Sequence, residues 1–111
     1  MVGMASKLRH SIYVIELDKD VLKEAKFLEA NPAYVEGEPC VYVGMTGKDP
    51  EVRFAEHKRG YKSAKYVFKY GLYLKPRQFR CHNPMTYDDA CKMEVEKARR
   101  LRNRGWGVWQ K

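Results

Sequence analysis

Cys40-Val41-Tyr42-Val43-Gly44-Met45 is a short apolar run rich in β-branched residues, bounded by the polar stretch Ala33 to Pro39 and by Thr46-Gly47-Lys48. A run of that length between turn residues reads as a buried strand. A second run, Ile12 to Leu17, reads the same way, with Ile12, Val14 and Leu17 interleaved by Tyr13 and Ile15. Each strand therefore carries a tyrosine among aliphatics. Between them, Asp18 and Asp20 supply N-cap candidates, and Val21, Leu22, Ala25 and Leu28 fall at helical spacing until Asn31-Pro32 ends the segment.

Downstream, Asp49 and Pro50 are suited to the N-cap and first helical positions of a helix that Gly60 closes. Arg53 and His57 lie four apart on it and share a face. A short helix is expected from about Ser63 to Tyr70, with Lys62, Lys65 and Lys69 on one side and Ala64, Val67 and Phe68 inward. Leu72 to Phe79 reads as a strand that Pro76 confines to an edge. Thr86 with Asp89 resembles a capping box and opens the longest helix, to Arg104, with arginines in its last turns. Trp106 to Trp109 reads as an apolar tail folded on the core. The order is strand, helix, strand, two helices, strand, helix. It predicts an α+β fold with a small three-stranded antiparallel sheet flanked by helices, in one domain over residues 1–111.

At 111 residues with 44% hydrophobic content, the chain can bury an ordinary core. No apolar run approaches the roughly 20 residues of a membrane span, and Met1 to Lys7 lacks a signal-peptide stretch. Cys40, Cys81 and Cys91 are an odd set without CxxC spacing, which points to reduced thiols. The expectation is a cytoplasmic protein with no membrane association. The net charge is +8. Between Val52 and Arg80, nine basic residues face the single acid Glu56, and the remaining 13 basic and 13 acidic residues cancel. All the excess charge sits in about a quarter of the chain, which suits a polyanion such as nucleic acid.

Glu94 stands out on the last helix. At about 100° per residue, Ala90, Cys91, Val95, Ala98 and Leu101 define an apolar arc with Glu94 near its middle. A carboxylate there needs an ion pair, such as one with Arg53, or a metal. Each polar group alone has an ordinary role: Tyr13 and Tyr42 as core tyrosines, Arg53 and His57 as a solvated helix face. Together they converge. His10, Cys40, Cys81, His82 and Cys91 follow no zinc-ligand spacing.

At these positions the chain resembles the GIY-YIG nucleases. Ser11-Ile12-Tyr13 is similar to the first tyrosine motif, with serine for glycine, and Tyr42-Val43-Gly44 to the second. Arg53, His57 and Glu94 follow in the family's order, and Leu101-Arg102, Gly105 and Val108-Trp109-Gln110 resemble a common bacterial form. The connection between the tyrosine motifs is longer than usual, and Gln110 stands where an asparagine is common. The resemblance implies a metal-dependent endonuclease that hydrolyses DNA phosphodiester bonds with low sequence preference or a preference for a DNA structure. It implies Mg²⁺ or Mn²⁺ on Glu94, a phosphate held by Arg53, and a proton taken from water by Tyr13. Tyr42 would orient that water or contact the phosphate, and Arg53, the metal or a hydrogen bond to His57 would ease the tyrosine's ionisation. Lys48, Lys58, Arg59, Lys62, Lys65, Lys69, Lys75, Arg77 and Gln110 are the expected nucleic-acid contacts. A specificity-supplying protein or a homodimer would complete the assembly. The alternatives are a non-catalytic nucleic-acid-binding module of the same fold, and a domain whose basic face meets an acidic protein.

Overall fold

The computed structural model describes residues 8–110. Met1 to Lys7 and Lys111 lie outside the described residues. Two strands form the centre, β1 (Ser11–Leu17) and β2 (Cys40–Thr46), antiparallel from Ser11↔Thr46 to Glu16↔Val41. Ile12, Val14, Ile15, Val41 and Val43 are fully buried, on both sides of the sheet. That double burial explains why these strands read as continuous apolar runs rather than alternating ones.

The sheet has four strands in the order β3-β1-β2-β4, and it is mixed. This corrects the expected three antiparallel strands. Gly107–Gln110 forms β4, parallel to β2 from Cys40↔Gly107 to Val43↔Gln110. The expected tail is thus an edge strand. It pairs with a segment far away in sequence, so no local turn signal announces it. β3 (Gly71–Leu74) is the opposite edge, and Pro76 ends it in a 3-10 turn, Pro76–Gln78. The expected strand to Phe79 therefore stops early.

The first helical segment is divided. A 3-10 turn, Lys19–Lys23, is followed by the extended Glu24 and by α1 (Ala25–Ala30). The break turns Phe27, not Leu28, into the core. α2 (Pro50–Arg59) starts at Asp49 with Pro50 in its first turn and ends at Gly60, whose φ of 84° suits a left-handed C-cap. α3 (Lys65–Tyr70) buries Tyr66 and Val67 and leaves Phe68 52% exposed, contrary to expectation. The reason is an aromatic cluster. Tyr66 packs on Trp109 with ring centroids 4.8 Å apart and on Phe27 at 6.3 Å, and this sets the roll of the short helix.

α4 (Tyr87–Asn103) begins at Thr86, whose hydroxyl accepts from the Asp89 N–H, and packs on β2 and β4. Ala90, Ala98 and Leu101 are fully buried, but Val95 is exposed and Lys97 buried. The apolar arc is rotated from the expected one. Two asparagine amides substitute for missing strand neighbours. Asn31 bonds both the N–H and the C=O of Val108. Asn83 does the same for Ile12, which lies beyond the reach of β3. Each supplies partners to a backbone pair at a strand edge, and at Val108 the Arg102 guanidinium donates to the same carbonyl. No helix among the described residues is long and apolar enough to cross a membrane.

Candidate active site

Directly paired residues in an antiparallel ladder share a face. Tyr13 lies opposite Gly44, and Tyr42 opposite Ile15. The two tyrosines are therefore diagonal neighbours on one face, with ring centroids 6.1 Å apart. Gly44 makes this fit possible. A Cβ there would stand 2.6 Å from the Tyr13 hydroxyl and 2.7 Å from the Tyr42 ring. The glycine of the second motif is thus needed for close approach. Sequence reading identified that position as a motif letter but not as the seat of Tyr13, because register is not visible in a single strand.

His57 lies behind the pair. It is 1% exposed, and its Nε2 is 2.9 Å from the Tyr13 hydroxyl. Its Nδ1 accepts the Ala64 backbone N–H at 3.0 Å. A backbone amide can only donate, so Nδ1 carries no hydrogen and Nε2–H donates to Tyr13. Tyr42 lies beside Tyr13, and the two phenols affect each other's ionisation unequally, Tyr42 raising Tyr13 while Tyr13 eases Tyr42. The line Ala64, His57, Tyr13 thus runs from the α2–α3 connection to the cleft.

The cleft is about 460 Å³ and lined by Tyr13, Tyr42, Arg53 and Glu94, together with His10, Tyr87 and the Met45-Thr46-Gly47 turn. It opens where β4 stops. β4 covers β2 only from Cys40 to Val43, so Gly44 to Thr46 have no strand on that side. Glu94 reaches the opening from α4. It is half-buried at the cleft rather than enclosed in the core, which corrects the expectation of a deeply buried carboxylate. Its Oε1 accepts from the Gln110 Nε2 at 3.0 Å. Gln110, expected to meet a phosphate, therefore stands at the cleft as a holder of Glu94.

Arg53 is fastened on three sides. Nη1 donates to Glu56 Oε1 at 3.3 Å and to the Tyr61 carbonyl at 3.1 Å, and Nη2 donates to the Lys62 carbonyl at 2.7 Å. A guanidinium has five N–H donors. These contacts leave Nε–H and one Nη2–H, the side-on pair that suits an anionic oxygen pair. Glu56, only 7% exposed, also pairs with Lys48. Those two cations hold its carboxyl below its ordinary range, the Lys48 hydrogen bond most strongly. The only acid in the basic segment thus positions two of the expected phosphate ligands. It was noticed in the sequence as a charge but not as a site residue.

Both cleft phenols resist ionisation. Burial pushes Tyr42 up to about 12, with the Glu94 charge adding to it, while the Tyr13 hydrogen bond and Arg53 pull it down. Burial raises Tyr13 further, reinforced by Tyr42 and Glu94 and opposed by Arg53. His10, considered in the sequence only as a zinc ligand, stacks edge-on against Tyr87 at 5.3 Å on the cleft wall.

The other expected contacts are dispersed. Lys58 donates to the Phe68 and Gly71 carbonyls and so fastens the end of α3. Lys69 pairs with Glu24 at 3.2 Å. Lys75 Nζ lies 2.9 Å from Glu16 Oε1, an ion contact without hydrogen-bond alignment. Arg59, Lys62, Lys65 and Arg77 are exposed. Among the described residues no three His, Cys, Asp or Glu side chains are grouped as a metal site. Any cation here would rest on Glu94 with water completing its shell, an arrangement typical of Mg²⁺. No family model, curated protein or solved structure matches the chain.

Proposed function

We propose that this protein is a metal-dependent endonuclease of GIY-YIG type, hydrolysing DNA phosphodiester bonds in the cleft between β2 and α4. One observation carries the reading. Tyr13, Tyr42, Arg53 and Glu94 come from four separate elements and line one cleft, with His57 hydrogen-bonded to Tyr13 behind it.

The side-on donors of Arg53 hold a non-bridging phosphate oxygen, and the Glu56 carboxylate and two carbonyls keep the guanidinium in place. As the phenolate, its own proton first released to solvent, Tyr13 would accept the proton of the attacking water, and the leaving 3′ oxygen would take a proton from a neighbouring water. The Tyr13 oxygen accepts from His57 Nε2–H, which favours the phenolate, whereas Tyr42 opposes it. Tyr42, beside Tyr13 on the same face, orients the water. Glu94, steadied by Gln110, would hold Mg²⁺ or Mn²⁺. A divalent ion there supplies charge neutralisation at the scissile phosphate and the leaving 3′ oxygen. In the protein alone, burial and the Glu94 charge keep both phenols neutral.

Exposed Lys48, Arg59, Lys62 and Lys65 around α2 and α3 position the backbone without reading bases. The reading implies weak sequence preference. Supercoiled plasmid and labelled branched oligonucleotides, incubated with Mg²⁺ or Mn²⁺ and with chelator, test it. Wild type is expected to cut with metal only, and Glu94→Ala and Tyr13→Phe are expected not to cut. Salt-sensitive binding without cutting in any condition replaces this reading with the non-catalytic binding module.

A further inference from the structure

Beside the cleft lies a second hollow of similar size, lined by Thr46, Gly47, Lys48, Arg53, Glu56, Tyr61 and Lys62. Arg53, Thr46 and Gly47 belong to both cavities. The two cavities thus adjoin at Arg53 and the Thr46-Gly47 turn, and a strand whose phosphate sits on Arg53 has its neighbouring nucleotide within reach of the second hollow.

The chemistry of that hollow is specific. Tyr61 presents a ring that is 49% exposed. Lys48 Nζ lies 5.7 Å and Lys62 Nζ 5.6 Å from its centroid. Both ammonium groups lie over the half-exposed ring, and an aromatic ring beside exposed cations is the combination that binds unpaired nucleotides, the lysines turning from the ring to the flanking phosphates as a base stacks. The platform is also held at a set distance from the cleft. The Tyr61 and Lys62 carbonyls accept from Arg53, and Lys62 takes a left-handed φ of 44° that non-glycine residues rarely adopt. The backbone anchors Tyr61 to the arginine, and the ring is left outside the core.

We infer that Tyr61, flanked by Lys48 and Lys62, is a stacking site for an unpaired nucleotide next to the scissile phosphate, and that it selects DNA with a single-stranded segment over continuous duplex. The inference rests on the nuclease reading of the adjacent cleft and adds the substrate class. In continuous duplex both faces of each base are already stacked, so the ring gains nothing. At a flap, gap or single-stranded end the base is free to turn onto it.

The test uses the full chain, a 5′-flap oligonucleotide with 2-aminopurine in the flap beside the junction, and a duplex of the same sequence. Tyr61→Ala and Tyr61→Phe are compared with wild type for affinity, 2-aminopurine fluorescence and metal-dependent cleavage. Tyr61→Ala is expected to weaken flap binding by about five- to one-hundred-fold, the range of one base stack, and to abolish the 2-aminopurine change. Duplex affinity is expected to stay within about twofold, the salt-dependent phosphate contacts being untouched. Tyr61→Phe is expected to behave as wild type. Removal of the half-exposed ring leaves the carbonyls that bind Arg53, and a thermal melt confirms that the variants are folded. Equal losses on flap and duplex, or no loss on either, overturn the inference while wild-type cutting keeps the nuclease reading. A wild type that binds neither substrate overturns both. A wild type that binds the flap through Tyr61 but never cuts overturns the nuclease reading alone.

Discussion

The floor and the lip of the cleft are built on opposite physical terms. On the floor, Tyr13, Tyr42 and His57 are all 3% exposed or less, and each is located by strand register or a backbone hydrogen bond. On the lip, Tyr61 is half-exposed and the Lys48 side chain is 53% accessible. Floor groups sit in a low-dielectric setting, where small displacements and unpaired polar atoms are costly. Lip groups act in water, where their effects are modest and salt-screened. On the proposed reading, the difference separates chemistry from capture. Arg53 joins the two, lining the cleft while donating to Glu56 and to the lip backbone.

The largest break expected in that comparison comes from Tyr13→Phe. Loss of a positioned proton acceptor is expected to slow single-turnover cleavage by about 10²- to 10⁴-fold. It also removes the hydroxyl to which His57 Nε2–H donates, at a cost of about 0.5–1.5 kcal/mol in a thermal or denaturant melt. DNA affinity by fluorescence anisotropy is expected to hold, because the lip is intact.

Gly44→Ala follows. The added methyl overlaps both tyrosine rings, so the phenols must shift. Overpacking of this kind costs about 1–3 kcal/mol, and misplacing reacting groups by about 1 Å lowers cleavage roughly 10²-fold. Melts and single-turnover rates read the two effects separately.

The lip gives a smaller and differently shaped response. Lys48→Ala or Lys62→Ala is expected to reduce the slope of log affinity against log salt by about 1 each. The metal concentration for half-maximal cutting is expected to stay unchanged.

Alkaline pH probes the floor through stability alone. Tyr13 and Tyr42 have folded-state pKa values above the ordinary tyrosine value of 10.0, and Tyr42 is at about 12. A raised folded pKa means that the native state holds more protons than the unfolded chain above pH 10. The stabilisation is complete below pH 10 and is lost as pH rises toward 12 and beyond. The slope is about 1.4 kcal/mol per pH unit for each such group. Denaturant melts between pH 9 and 12 are expected to show it, and Tyr42→Phe to flatten it.

Much of this was legible in the residues. The runs at Ile12 to Leu17 and Cys40 to Met45 show the two central strands because burial on both faces leaves them uniformly apolar. Asp49-Pro50 and Gly60 mark α2, and Thr86 with Asp89 marks α4, because capping is local chemistry. The site residues were legible as a set because their order along the chain carried the resemblance. What escaped depends on distant partners. β4 owes its state to Cys40–Val43, and the Tyr13↔Gly44 register appears only when β1 meets β2. Phe68 faces outward because Tyr66 is taken up by Phe27 and Trp109. The rotation of α4 turned Val95 to solvent and moved Glu94 from an expected core position to the cleft.

The most direct test of the account is Glu94→Gln, measured for DNA affinity and single-turnover cleavage with Mn²⁺ on one flap substrate beside wild type. The account predicts affinity within a few-fold of wild type and cleavage reduced to background. A Glu94→Gln protein that cuts at the wild-type rate would contradict it, as would a wild type that binds the flap but leaves it whole with Mn²⁺ present.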